Sequence, residues 1–217
     1  MTSQRASRNR FLSQLAGLYL ILDERWASRC SLPDVMREAG AAGVKLVQYR
    51  NKTGSMKQAY EVASALRDIA NECAIVFIVN DRCDLAMAVE ADGVHLGQTD
   101  LPLTMARNMV GKKMLIGVST HNAQQVQKAT EDEADYLGFG PIFPTGTKSD
   151  HDPVVGIRGM QRIRNLTSLP VFAIGGIVPD SVTELCQAGA SGVAVASGIL
   201  DAADRSKAIT DYLSQFQ

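Results

Sequence analysis

Several residue types are scarce in this sequence, and each scarcity excludes something. Four cysteines in 217 residues, Cys30, Cys73, Cys83 and Cys186, stand without C-x-x-C spacing. Neither a disulfide frame nor a zinc site is expected from them, and they read as reduced thiols of a cytoplasmic protein. Aromatics make up only 6% of the chain, and the formal net charge is −1. That composition argues against nucleic acid as a partner. No run reaches the ~18 apolar residues that a membrane-crossing helix needs, so no membrane partner is expected either. A G-x-G-x-x-G turn after the first apolar run is missing, which counts against a dinucleotide fold. The opening "MTSQRASRNR" holds three arginines and no acid. The apolar run that a secretory signal needs does not follow, so residues 1–16 read as a tail or short helix.

What remains is 46% hydrophobic and 21% charged, the balance of one globular α/β domain, expected over residues 17–217. Short apolar runs rich in Val and Ile recur eight times: "GLYLILD", "VKLVQYR", "AIVFIVN", "GVHLG", "LIGVST", "YLGFGPIF", "VFAIGGI" and "GVAVAS". They lack strict alternation, as strands covered on both faces of a parallel sheet do. Helical segments separate them. "SLPDVMREAGAAG" offers Ser31 as a cap, Pro33 in the first turn and Gly43 at the end. "GSMKQAYEVASALRDIANE" places Ala59, Val62, Ala63, Leu66 and Ile69 on one face. Eight such units within about 200 residues predict a single (β/α)8 TIM barrel.

In such a barrel every strand ends at one rim, where active sites form. Strand two ends with Gln48, Arg50 and Lys52, which alternate and so leave on one side. Strand three ends with Asn80 and Asp81, strand four leads to Asp100, and strand five ends at Ser119, Thr120 and His121. Strand six runs into "GFGPIFPTGTKSDHDPVVGI", where Pro141, Pro144 and Pro153 forbid a helix and Thr145, Thr147 and Lys148 are displayed. Arg50, Lys52 and Lys148 suit a di- or polyphosphate. Asp81 and Asp100 suit one Mg²⁺, although Asp81 also stands where it could cap the next helix. The turns "AIGGI" and "VASGI" after strands seven and eight suit a phosphomonoester held by main-chain amides. His95 reads as a hydrogen-bonded core residue. His121 is equally a proton carrier or a helix-start residue, and no covalent nucleophile arrangement is visible.

The segments "VQYRNK", "FIVNDRCDLAMAVEADGVHLGQTDLP", "IGVSTHN", "ADYLGFGPIFPTGTK", "PVFAIGGI" and "GASGVAVASGI" closely resemble the thiamine phosphate synthase family, from about residue 17 to 200. The resemblance implies a barrel transferase joining 4-amino-5-hydroxymethyl-2-methylpyrimidine diphosphate to a thiazole phosphate, with release of pyrophosphate. By motif, Gln48, Tyr49, Arg50, Asn51, Lys52, Asn80, Ser119 and Lys148 would hold the pyrimidine diphosphate. Arg50, Lys52, Lys148 and Ser119 would form the catalytic set. Thr145, Gly146, Thr147, Gly176, Ala196 and Ser197 would hold the thiazole phosphate, and Asp81 and Asp100 one Mg²⁺. The strand-six loop is expected to act as a lid that excludes water. A thiazole tautomerase of the same fold, or a non-catalytic thiamine-phosphate-binding barrel, are the alternatives. The expected partners are small molecules, and self-association into a homo-oligomer stays open.

Overall fold

The structure is a computed structural model, and it describes residues 11–146 and 153–216. Eight parallel strands close into a barrel in chain order. They are β1 (Gly17–Asp23), β2 (Leu46–Arg50), β3 (Val76–Asn80), β4 (Gly93–Leu96), β5 (Leu115–Thr120), β6 (Tyr136–Phe139), β7 (Val171–Ile174) and β8 (Gly192–Val195). Around them lie α1 (Leu32–Ala42), α2 (Met56–Cys73), α3 (Cys83–Ala88), α4 (Leu103–Val110), α5 (Ala123–Glu131), α6 (Gly156–Arg164), α7 (Val182–Gln187), α8 (Ser197–Leu200) and α9 (Arg205–Leu213).

Local signals account for the helix ends. Ser31 caps α1 by accepting from the Asp34 N–H, and Gly43 closes it with φ +98°. Ser55 and Gln58 form a reciprocal capping box on α2. In α2, Ala59, Ala63, Leu66, Ile69 and Ala70 are buried, while Val62 is only half-buried at the edge of that stripe.

Strand periodicity divides the interior into two cores. Leu20, Leu22, Val47, Tyr49, Phe77 and Val79 face outward and pack under the helices. Tyr19, Ile21, Leu46, Val76, Ile78, Leu115, Tyr136 and Phe172 face inward and fill the barrel. Successive residues of a strand serve opposite cores, so both faces are apolar and alternation is lost from the sequence.

At the N-terminal side of the strands the same device occurs twice. The Asp92 carboxylate, just before β4, accepts from the Phe77 N–H at 2.8 Å and from Arg67 of α2 at 2.8 Å. The Asp135 carboxylate, just before β6, accepts from the Ile116 N–H at 2.8 Å and from Arg107 of α4 at 2.6 Å. Each aspartate ties an incoming strand to its neighbour and to the helix outside.

Candidate active site

The functional side chains lie at the ends of inward-facing rows. Tyr19, Ile21 and Asp23 share one row of β1, and Gln48 and Arg50 share one row of β2, with Ile21 opposite Gln48 and Asp23 opposite Arg50. Asp23 is buried, which works against its charge. Two hydrogen bonds from the Arg25 side chain, at 3.1 and 3.0 Å, one from its main chain and one from Arg50 at 2.5 Å nevertheless hold its carboxyl below the ordinary range. Asp23 was not anticipated from the sequence. Its signal was present, since it ends β1 in phase with inward Tyr19 and Ile21.

Arg50, thus oriented, borders the first of two clefts. This cleft is also lined by Asp23, His121, Thr145, the Gly175–Gly176 turn and the Ala196–Ser197–Gly198 turn. Gly175 and Gly176 have φ of +98° and +64°. A Cβ on Gly176 would lie 2.6 Å from the Pro144 carbonyl oxygen, so only glycine lets the β6 loop lie against this turn. The loop is anchored there by the Ile142 and Phe143 N–H groups, which donate to the Ile174 and Gly175 carbonyls at 2.8 and 3.0 Å. His121 bonds through Nδ1 to the Gly140 carbonyl at 2.6 Å, so that nitrogen carries the proton. Gly146 borders an adjoining groove with Arg25, Arg29 and Ser197. Thr147, Lys148 and the remainder of the expected lid through residue 152 lie outside the described residues.

The second cleft is lined by Asn51, Lys52, Asn80, Asp81, Arg82 and Asp100, among others. Asp81 follows β3 with φ +61°, and its N–H donates to the His95 carbonyl at 2.8 Å. This left-handed residue turns its carboxylate away from α3, whose start has no side-chain cap bond. The carboxylate instead forms an ion pair with Lys52 and meets Asp100. Asp100 is fixed by the Gly97 N–H at 2.7 Å. Burial and the Asp100 carboxylate push the Asp81 carboxyl up to about 6, against the pull of Lys52. Burial opposes ionisation of Asp100 too, but its hydrogen bonds to Asp81 and to the Gly97 amide bring it below the ordinary range. Two carboxyl groups that resist simultaneous charge, beside an exposed lysine, form a donor set that one divalent cation would relieve.

Arg50 and Lys52 are therefore parted, one in each cleft. Tyr49 and Asn51 border the second cleft, but their side chains are engaged locally. The Tyr49 hydroxyl donates to Glu24 at 2.8 Å, and Asn51 accepts from the Thr53 and Gly54 N–H groups at 3.1 and 2.8 Å. Gln48 and Ser119 end a chain of hydrogen bonds through the barrel. Gln48 Nε2 lies 2.6 Å from the Tyr19 hydroxyl, which lies 2.8 Å from that of Tyr136. His95 Nδ1 is 3.1 Å from the Tyr136 hydroxyl, and its Nε2 is 3.0 Å from Ser119 Oγ. His95 is thus the hydrogen-bonded core residue expected of it.

One rim of a parallel barrel that carries a carboxylate–cation cluster beside a glycine-turned cleft defines a barrel enzyme for phosphorylated small molecules. Residues 18–199 match the family model described as thiamine monophosphate synthase. The chain is 42% identical over 188 residues to a thiamine-phosphate synthase of Clostridium botulinum (strain Loch Maree / Type A3), covering 87% of this chain and 92% of that protein. It is 44% identical over 187 residues to a thiamine-phosphate synthase of Chloroflexus aurantiacus, covering 86% of each. The solved structure of thiamine phosphate pyrophosphorylase from Pyrococcus furiosus superposes with a TM-score of 0.84 at 34% identity, covering 94% of this chain and 96% of that one. The chain belongs to the thiamine monophosphate synthase family, and it is a transferase.

Proposed function

We propose that this barrel joins 4-amino-5-hydroxymethyl-2-methylpyrimidine diphosphate to a thiazole phosphate, giving thiamine phosphate and pyrophosphate, with Mg²⁺ at Asp81 and Asp100. The observation that carries this reading is the pair of unlike anion sites on one rim. The carboxylate pair with Lys52 suits a metal-bound diphosphate. The neutral glycine turns at β7 and β8 suit a phosphomonoester. The described part of the β6 loop borders the second of these sites through Pro141 and Thr145, which gives a reason for a polar segment after a buried strand.

The residues divide the work accordingly. Gln48, Asn80 and Ser119 orient the pyrimidine ring, while Arg50 and Lys52, joined by Lys148 of the β6 loop, hold the diphosphate. Thr145, Gly146, Thr147, Gly176, Ala196 and Ser197 receive the thiazole phosphate, so that its ring nitrogen faces the pyrimidine methylene. Tyr49 and Asn51 contribute through the main chain. Asp81 and Asp100 would hold a divalent cation, which when bound would add to the neutralisation of the diphosphate. The C–O bond breaks with its electron pair going to pyrophosphate, and the thiazole nitrogen then attacks the resulting pyrimidine carbocation. No proton is transferred, so the step asks for no general base. Catalysis rests on positioning, charge and exclusion of water, the last assigned to the β6 loop.

A cytoplasmic setting accords with this reading, as do the unpaired cysteines. Among the described residues no helix is long and apolar enough to cross a membrane. Every group invoked comes from one chain.

The test is Asp81→Ala with both substrates and Mg²⁺. Coupling should fall by at least about 100-fold, while the thiazole phosphate still binds. Coupling at the parent rate would contradict the metal site, and retained binding without coupling in the parent protein would favour a binding barrel.

A further inference from the structure

The chain of hydrogen bonds through the barrel is more than a way of satisfying buried groups. Gln48, Tyr19, Tyr136 and His95 are 3%, 2%, 0% and 7% exposed, and they occupy space that other inward positions fill with Ile, Leu or Phe. Room has been made for them. A Cβ on Gly117 would lie 2.1 Å from Tyr136 Cζ and 2.5 Å from His95 Nδ1. Four polar side chains in line are costly to bury, and apolar residues would fill the barrel more cheaply.

Their hydrogens can be counted. A hydroxyl has one proton to donate, and an amide NH₂ only donates. The Tyr19 hydroxyl accepts from Gln48 Nε2, and since that amide nitrogen cannot accept, the proton of this buried hydroxyl is satisfied by Tyr136. Tyr136 then donates to His95 Nδ1, which must be unprotonated. A neutral His95 so arranged carries its proton on Nε2 and donates it to Ser119 Oγ. Ser119, having accepted, points its own O–H away from His95. At the other end, Gln48 keeps Oε1 as an acceptor. Among the described residues Gln48 Oε1 forms no hydrogen bond and is not one of the fully buried atoms left without a partner, so it stays accessible. Reversing any single link reverses them all.

We infer that this chain is a polarity relay. Tyr19, Tyr136 and His95 are positioning residues that fix Gln48 as an acceptor and leave Ser119 its O–H to donate, and so select a ring with an amino group beside a bare ring nitrogen. The oxo counterpart of that ring turns a C=O toward the Gln48 acceptor, and that one mismatch disfavours it, since the Ser119 hydroxyl keeps a lone pair for an N–H. The selection rests on the proposed binding of a 4-aminopyrimidine diphosphate between Gln48 and Ser119. The tautomer of His95 does not.

The experiment has two arms on the full-length protein. Side-chain ¹H–¹⁵N correlations of histidine-labelled protein, with His95 assigned by its loss in His95→Gln, should show a neutral ring protonated on Nε2. A ring protonated on Nδ1, or on both nitrogens, overturns the relay. Calorimetry with the 4-amino and 4-oxo pyrimidine diphosphates should show a preference of roughly 100-fold or more for the amino form. That preference should shrink to less than about tenfold in Tyr136→Phe, which keeps the shape and removes the link. Tyr19→Phe serves the same purpose if the first variant does not fold. Equal weakening of both ligands would mean a merely structural role and would overturn the selection. If the parent protein binds neither ligand, the substrate assignment fails, and the His95 tautomer still decides the relay.

Discussion

Asp81 combines two features that a stability argument alone does not explain. Its backbone is left-handed, a region that residues other than glycine enter at a cost, and its carboxyl group is crowded by Asp100. Its folded value near 6 stands above the ordinary 3.8, so between roughly pH 4 and 6 the folded chain holds a proton that the unfolded chain has released. This contribution to stability is present at acid pH and is lost as the pH rises through about 6. Without metal, Asp81→Asn should therefore stabilise the chain at pH 7–8, by on the order of 1 kcal/mol after allowance for solvent screening. Thermal unfolding of the two proteins without metal checks this, and destabilisation of the variant would mean that the Lys52 ion pair outweighs the repulsion. The same proton opposes a cation. Mg²⁺ affinity measured by calorimetry should weaken as the pH falls through about 6 and level off above it. Gly176 is the second residue on which geometry weighs heavily. Gly176→Ala puts a side chain at φ +64° against Pro144, and should raise the KM for the thiazole phosphate by roughly tenfold or more while costing about 1–2 kcal/mol of stability. An unchanged KM would remove that turn from the site. That Gln48, Arg50, Asp81, Asp100 and Gly176 stand at the C-terminal rim of the barrel was legible in the sequence, because strand ends and special turns leave local marks. Asp23 was passed over, and the inward pairing of Tyr19 with Tyr136 is invisible locally, since 117 residues separate them.

At the level of elements, the two aspartates before β4 and β6 hold the barrel at the end away from the chemistry. The Asp135 side chain is 1% exposed and the Arg107 side chain 18%, and Arg107 also donates to the Gly111 and Met114 carbonyls. Arg107→Ala removes the cation from a buried carboxylate and should cost about 3–5 kcal/mol. Arg29→Ala breaks a pair whose side chains are 71% and 44% exposed and should cost less than about 1 kcal/mol. Urea unfolding of both variants gives the comparison, and equal losses would contradict the distinction drawn between buried and exposed pairs. The elements themselves were legible for a physical reason. Strands buried on both faces give uninterrupted apolar runs, and caps such as Ser31 and the Ser55–Gln58 box mark helix starts. The ends of strands were less so. "YLGFGPIF" reads as one apolar run, yet the strand stops at Phe139, because Pro141 cannot donate to the ladder and the following residues pair with the ends of β7.

Over the whole molecule, a formal net charge of −1 gives no general attraction for two anionic substrates. The cations that matter are local, with Arg25, Arg29 and Arg50 around the first cleft and its groove and Lys52 at the second. The barrel supplies the rest. It brings the ends of strands distant in sequence to one rim, and its closed parallel order sets the β7 and β8 turns across the mouth from β3 and β4. The most direct measurement mixes the purified chain with the pyrimidine diphosphate, the thiazole phosphate and Mg²⁺, and follows both products against an EDTA control. Equimolar thiamine phosphate and pyrophosphate, abolished by EDTA, is the predicted result. A folded protein that leaves both substrates intact would contradict it.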